Sequence, residues 1–301
     1  MSARGWWPLV ALAAVLLALQ TGCRNNSGTT PFVYYHGSPW AEGSVNGASG
    51  LFLLDTGASA SVVDAELAGR AGLPTTGGES ITATTGRVDV GTGRVERLEL
   101  AGRTHTGRHV LVQDLGDFRA PGGRRKSGLL GSDFFLEYTL TLDMERSRMA
   151  LRRSPGPSAS GMTPHRMRLN AGVPTVQVFF GDGAQAPVWA KFDTGSSYAD
   201  ERIVHLEVTP ARARALLGED YRERPAGRLR VLSLAGEEEL LLFEYGPVRL
   251  LGREFESVRL IVHEHEQGAF ADPEAVLISG SVLRQFDRVD LDFPRRTVWV
   301  K

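Results

Sequence analysis

The chain carries the same series of short segments twice, in the same order, and this repeat constrains its fold more than any other feature. Each copy of an internal repeat is normally one structural unit, so we expect two similar lobes. The second copy is longer than the first, and the additional residues fall between its first and second matching segments. Three pairs of segments match: 53–59 with 191–197, 98–103 with 248–253, and 130–143 with 279–292.

Short apolar runs bounded by turn residues predict that both lobes consist mainly of β-strands. The run Val173–Phe180 is rich in β-branched and aromatic residues, and Gly-Asp-Gly at 181–183 then supplies a turn. Only short helices are indicated, over Val63–Ala71 and Pro210–Leu217. The sequence therefore predicts an all-β protein.

The first residues predict export from the cell. Arg4 precedes an apolar run of 14 residues at 6–19, which suits the core of a signal peptide and is shorter than a membrane span of about 20 residues. The next residues, Leu-Gln-Thr-Gly-Cys, resemble a bacterial lipoprotein signal, in which Cys23 would become the lipidated N-terminus. An ordinary cleaved signal and an uncleaved anchor are the alternatives. A segment rich in Pro, Gly and Ser separates the lobes. The predicted organisation is a signal peptide at 1–22, a tether at 23–31, an N-terminal lobe at 32–152, a linker at 153–165 and a C-terminal lobe at 166–301.

The composition excludes several classes of function. Lysine and arginine total 34 and aspartate and glutamate total 35, so the formal net charge of -1 provides no basic field that would attract nucleic acid. Cys23 is the single cysteine, which excludes an intrachain disulfide, a cysteine-rich zinc site and an iron–sulfur cluster. No metal and no organic cofactor is implied.

Two Asp-Thr-Gly triplets, at 55–57 and 193–195, occupy the same place in the repeat and carry the chemistry. An apolar strand before each triplet would deliver a carboxylate to its end, and glycine would let the chain turn sharply there. If the two loops met at a two-fold axis, Asp55 would lie beside Asp193. Two adjacent carboxylates do not both ionise easily, so one would keep a proton while the other acts as a base on a shared water.

The residues around the triplets resemble the aspartic peptidases of the pepsin and retropepsin clan. In that family two apolar residues precede Asp-Thr-Gly, small hydroxyl residues follow it, and a later apolar pair ends in glycine, as at 129–131 and 278–280 here. The resemblance implies an all-β, two-lobed, pepsin-like fold in which each lobe is a small retropepsin-like β-barrel. It also implies a peptide or protein substrate in a cleft between the lobes, and an active site that a monomer completes.

The resemblance further implies a role for each residue of the two loops. Asp55 and Asp193 would be the catalytic pair, and Thr56 and Thr194 would cross-bond the two loops beneath them. The other implied site residues are Gly57, Ser59, Gly195 and Ser196 as loop support, and Thr84, Thr85 and Gly86 at the tip of a substrate-covering hairpin, the flap, over 81–95.

One difference between the two loops predicts an asymmetric carboxyl pair. The resemblance implies that the Ser196 hydroxyl donates a hydrogen bond to Asp193, whereas its counterpart Ala58 has no hydroxyl for Asp55. Because a lost hydrogen bond to the charged form raises a carboxyl pKa, we expect a less acidic pH optimum than that of a pepsin with hydroxyl residues on both sides.

Three other polar segments are interpreted as surface features. The His263-Glu264-His265-Glu266 segment looks like a metal site, but no pattern places a further ligand, and a solvated strand end is the interpretation. His105 and His109 are expected at the surface, and Arg124-Arg125-Lys126 is expected to be a solvated loop.

Three functions compete with a general peptidase. One is a catalytically silent, pepsin-like lipoprotein that binds peptides in the cell envelope. Another is a structural envelope lipoprotein, and the third is a peptidase restricted to a single partner protein.

Overall fold

A computed structural model describes residues 28–83, 86–116, 118–153, 156–181, 186–196, 198–233, 236–264, 266 and 268–301. The predicted signal peptide, Cys23, most of the tether, and Thr84 and Thr85 of the predicted flap therefore lie outside the described residues. Among the described residues, no helix has both the length and the apolar character needed to cross a membrane.

The first half of the chain is built almost entirely from strands, as predicted. Its strands are β1 (Thr30–Pro31), β2 (Val33–Tyr35), β3 (Ser38–Val45), β4 (Ala48–Leu54), β5 (Val62–Asp64), β6 (Thr75–Ala83), β7 (Gly86–Leu100), β8 (Arg103–Gln113), β9 (Gly128–Leu130), β10 (Thr139–Asp143) and β11 (Arg148–Arg152). Its helices are α1 (Ala65–Arg70) and α2 (Ser132–Phe135).

The second half repeats this pattern with one longer helix. Its strands are β12 (Thr163–Arg166), β13 (Arg168–Asn170), β14 (Val173–Phe180), β15 (Val188–Asp193), β16 (His205–Val208), β17 (Gly227–Ser233), β18 (Gly236–Tyr245), β19 (Val248–Leu250), β20 (Arg253–Phe255), β21 (Val258–Val262), β22 (Val276–Ser279), β23 (Arg288–Asp292) and β24 (Thr297–Val300). The helix is α3 (Pro210–Leu217), within the part of the chain that is longer in this copy.

Each lobe folds one sheet back on itself. In the N-terminal lobe the strand order is β2-β3-β4-β9-β5-β8-β7-β6, and β3 also pairs with β7, which closes the strands between them into a barrel. In the C-terminal lobe the order is β17-β18-β21-β16-β22-β15-β14-β19-β20, and β19 follows β18 along the chain after two residues. The all-β fold with two lobes is therefore confirmed.

The matching hairpins show that the sequence repeat is a structural repeat. Ala101 and Gly102 turn between β7 and β8 with φ values of 48° and 72°. Leu251 and Gly252 turn between β19 and β20 with φ values of 49° and 74°. A two-residue hairpin with both central residues at positive φ matches the twist of the strands on either side.

A third sheet joins the lobes. Its order is β1-β11-β10-β23-β24-β12, and β10 pairs with β23 in antiparallel register, with Thr141 opposite Asp290. Leu140 and Leu291, which face each other across this pair, are both fully buried. β1 lies within the predicted tether and β12 begins within the predicted linker, so both segments contribute strands to this sheet.

Candidate active site

Both Asp-Thr-Gly loops begin where a strand of the barrel ends. Asp55 follows β4, which runs parallel to β9 with Leu54 opposite Leu130, and Asp193 ends β15, which runs parallel to β22. The Asp55 amide donates to the Leu130 carbonyl at 2.9 Å. The later apolar segments thus lie beside the two loops, where the resemblance places them.

Crossed hydrogen bonds between two buried threonines join the loops beneath the carboxyl groups. The Thr56 amide donates to the Thr194 hydroxyl at 3.0 Å, and the Thr194 amide donates to the Thr56 hydroxyl at 3.1 Å. Each hydroxyl in turn donates at 2.6 Å to a carbonyl of the opposite strand, Thr56 to Phe192 and Thr194 to Leu54. The structure therefore brings these four predicted residues, both threonines and both aspartates, into one cluster.

The loop glycines hold each carboxyl and let the other one approach. The amides of Gly57 and Ala58 donate to Oδ1 of Asp55, both at 3.0 Å, and those of Gly195 and Ser196 donate to Oδ1 of Asp193 at 2.9 and 3.0 Å. A Cβ atom on Gly57 would lie 2.0 Å from Cγ of Asp193, and one on Gly195 would lie 2.2 Å from Cγ of Asp55. Only glycine allows the carboxyls to come this close together.

The two carboxyls form a coupled pair. They are close enough for a hydrogen bond between their side chains. Burial raises the pKa of Asp55, and burial together with the charge of Asp55 raises the pKa of Asp193 well above its ordinary value. A pair of this kind titrates in two steps, which belong to the pair and not to one residue.

The hairpin of β6 and β7 spans the segment predicted as the flap. It is longer than the predicted 81–95 and contacts the short turn Gly268–Phe270 of the other lobe. Gly86 begins β7 at a φ of 153°, while Thr84 and Thr85 lie outside the described residues. Ser59, the remaining loop residue of the prediction, is exposed.

The Ser196 hydroxyl does not donate to Asp193 as predicted. It donates instead to Oε1 of Glu207, a buried residue of β16, while only its amide donates to Asp193. The Tyr198 hydroxyl also hydrogen-bonds Glu207. The loop that carries Asp193 is thereby tied to a carboxylate on a neighbouring strand.

His263 is part of a buried ionic network, so the interpretation as a solvated strand end is wrong for this residue, although Glu266 of the same segment is exposed. Its Nε2 lies 2.9 Å from Oε2 of Glu207, its Nδ1 lies 3.0 Å from Oε2 of Glu238, and its ring stacks on Phe270 at 3.8 Å. Burial lowers the pKa of His263, but hydrogen bonds to the two carboxylates outweigh burial and raise it to about 9. We call Glu207, His263 and Glu238 the buried triad.

The same hydrogen bonds keep Glu207 ionised. Burial alone would raise its pKa, but hydrogen bonds from His263, Ser196 and Tyr198 lower it below its ordinary value. His265 lies outside the described residues. Within the described part of the chain, no group of three His, Cys, Asp or Glu side chains could hold a metal ion.

The basic segment 124–126 is also more ordered than predicted. Arg125 donates to both carboxylate oxygens of the buried Asp64, at 2.8 and 2.9 Å. Lys126 is 7% exposed, and its ammonium lies 4.4 Å from the centre of the Phe118 ring and 5.5 Å from that of Trp40. A solvated loop is therefore the wrong description for Arg125 and Lys126.

One of the two predicted surface histidines is buried. His105 is 6% exposed and stacks on Phe134 at 4.2 Å, whereas His109 is exposed. His105 lies directly opposite the buried Leu98 of β7, and directly opposite residues of an antiparallel pair share one face of the sheet. The prediction for His105 is wrong because its neighbours in sequence are polar while its neighbours in space are aromatic.

The charges beside the two carboxyls differ. The Lys126 ammonium favours the ionised form of Asp55. Beside Asp193, the Lys191 ammonium favours the ionised form and the Glu207 carboxylate disfavours it. The asymmetry predicted from Ala58 thus has a different cause. The sequence held one signal for this, because only three of its 34 cationic residues are lysine, and two of them lie near the site: Lys126 two residues before β9 and Lys191 two residues before Asp193.

The close approach of Gly57 to Asp193 yields a stability prediction. Gly57→Ala forces the two loops apart and should lower the free energy of unfolding by about 1–3 kcal/mol, the usual cost of overpacking. Gly69→Ala is the matched control, because Gly69 lies in α1 and a Cβ atom added there would have no neighbouring atom within 4 Å. Urea denaturation followed by circular dichroism measures both, and equal stability of Gly57→Ala and wild type would contradict the packing.

The buried triad predicts a pH dependence of stability. The raised pKa of His263 stabilises the folded protein fully below about pH 6.5, and this stabilisation is lost as pH rises through about 9. Wild type should lose on the order of 1–3 kcal/mol of unfolding free energy over that interval. His263→Gln should lack this loss, and His109→Gln, at an exposed site, should retain it. Denaturation at a series of pH values tests this, and equal slopes for the two variants would refute it.

One comparison with known proteins supports the resemblance. Residues 41–134 match the family described as aspartyl protease, a segment that contains Asp55, the β6–β7 hairpin and β9. A search of curated proteins found no significant match. The family match covers less than a third of the chain and lies in the first lobe. The second lobe is related to that segment by the internal repeat, and the comparison supports an aspartic protease-like family.

Proposed function

We propose that the protein is an aspartic endopeptidase that hydrolyses peptide bonds with a water molecule activated between Asp55 and Asp193. The observation that carries the proposal is the pairing of the two carboxyls. Each lies against the glycine of the opposite loop, and each accepts two backbone hydrogen bonds on one oxygen. In the proposed reaction a water molecule would bind between the two carboxyl groups. One chain supplies both loops, so a monomer completes the site.

The charges around the pair suggest the role of each carboxyl. Lys126 favours the ionised form of Asp55, which makes Asp55 the base that takes a proton from the water as its oxygen attacks the peptide carbonyl carbon. Asp193, with its raised pKa, donates its proton to the carbonyl oxygen. The tetrahedral intermediate then collapses, the carbon–nitrogen bond breaks, and the leaving nitrogen takes a proton from the pair.

The substrate in this proposal is an extended peptide between the lobes. The β6–β7 hairpin extends from one lobe to a turn of the other and would cover the peptide. The N-terminal segment supports an exported protein, anchored to the membrane by a lipid on Cys23 and facing the periplasm. A peptide segment of another envelope protein is then the expected class of substrate. No cofactor and no nucleic acid enters the proposed reaction.

The test is digestion of a diverse peptide library by the purified full chain between pH 3 and 7, read by mass spectrometry. Wild type should produce cuts that the Asp55→Asn/Asp193→Asn double variant does not. The cuts should be most abundant above about pH 4, because burial raises the pKa of both carboxyls.

The double variant controls for contaminating peptidases, and a circular dichroism spectrum controls for its folding. Equal cutting by both proteins would refute the proposal. A folded wild type that cuts nothing but retains peptides would favour the catalytically silent peptide-binding lipoprotein instead.

A further inference from the structure

A buried cation lies beside the candidate active site, where its charge acts on Asp55. Lys126 is 7% exposed, and within the described residues it forms no ion pair. Burial lowers its pKa to about 8, although the charge of Asp55 opposes this. A buried ammonium is costly unless a counter-charge or hydrogen-bond acceptor compensates for its lost hydration.

The surroundings of Lys126 stabilise a cation but do not neutralise it. Its ammonium lies over the rings of Phe118 and Trp40, at 4.4 and 5.5 Å from their centres. Cation–π contacts of this kind contribute modestly and leave the positive charge in place. Asp55 already accepts two backbone hydrogen bonds and is paired with the carboxyl group of Asp193. The protein therefore supplies aromatic support for Lys126 without a dedicated carboxylate.

The cation lies on the face of the sheet that carries Asp55. Side chains of β4 alternate, so Phe52 and Leu54 enter the main core, while Leu53 belongs to a second apolar cluster with Trp40. Asp55 lies two residues beyond Leu53, which places it on the same face as Leu53 and the second cluster. The cluster under Lys126 thus lies next to the reacting position.

This second cluster has an open side. Phe118, Tyr35 and Ala58 pack against it but are only partly buried. Ala58 also donates its amide to Asp55 at 3.0 Å. A substrate side chain that entered the cluster from the cleft would therefore be next to the loop that holds the proposed base. The tip of that side chain would meet Lys126.

We propose that Lys126 determines specificity, by receiving the carboxylate of a glutamate or aspartate side chain next to the scissile bond of the substrate. The rings of Trp40 and Phe118 would line the apolar stem of that side chain. The proposal rests on the proposed peptidase function. A substrate carboxylate would form the direct ion pair that the described residues do not form with Lys126, and a buried site built for a charged partner rejects a neutral analogue.

The test compares matched peptides with Glu, Gln or Leu at one position next to the cut, at about pH 6, where peptide carboxylates are ionised and lysine is charged. Wild type should show a kcat/KM about 10- to 100-fold higher for Glu than for Gln, as expected for a hydrogen bond between charged groups. Lys126→Met should abolish that preference, so that its Glu-to-Gln ratio falls to about 1 whatever its overall rate. Lys126→Arg, which keeps the charge, should retain part of the preference.

Equal Glu-to-Gln ratios in wild type and Lys126→Met would overturn the subsite, whatever happens to the overall rate. If Lys126 acted only on the charge of Asp55, all three peptides would slow together and the ratio would stay constant. Thermal unfolding of each variant shows whether a loss of rate reflects a loss of fold.

Binding separates failure of the subsite from failure of the peptidase. A peptide array with Glu, Gln or Leu substituted at each position is incubated with Asp193→Asn and with Asp193→Asn/Lys126→Met. Retention of Glu-containing peptides by the first variant only, with no cutting by wild type, would support the subsite and refute the peptidase. Cutting by wild type, with identical retention by both variants, would support the peptidase and refute the subsite.

Discussion

The arrangement of the whole site depends on the crossed hydrogen bonds between Thr56 and Thr194. Both side chains are fully buried, and each hydroxyl accepts the other threonine's amide while donating to the strand that delivers the other aspartate. The lobes cannot slide past each other at this point without leaving buried polar groups unpaired, which is costly. Because these bonds fix the loops, the glycine amides can hold the carboxyls, and the carboxyls can approach each other.

The backbone around this junction is nearly symmetric, but its charges are not. A lysine acts on each carboxyl, Lys126 on Asp55 and Lys191 on Asp193, but only Asp193 also has the buried triad beside it. Glu207 also holds the Ser196 hydroxyl, so the network contributes both charge and position to that loop. A symmetric fold with an asymmetric electrostatic environment assigns different chemistry to two equivalent carboxyls.

The sequence predicted the repeat, the strand-rich lobes and the residues of both loops, because these depend on local patterns and on matched positions. β14 and α3 begin and end at the predicted residues. The buried triad could not be predicted, because Glu207 and His263 meet only when β16 pairs with β21. Lys126 lies in a polar segment that is typical of a solvated loop. Its burial results from packing against Trp40, which is distant in the sequence.

The central claim is that Asp55 and Asp193 form one proton-sharing pair across the two lobes. Carbon-13 NMR of the carboxyl carbons of aspartate, assigned with single Asp→Asn variants, would follow both groups through a pH titration of the full chain. We expect two coupled steps, with one carboxyl still protonated well above the ordinary pKa of 3.8. Two independent transitions, each at about pH 4, would show that the two carboxyls do not interact and would contradict the proton-sharing pair.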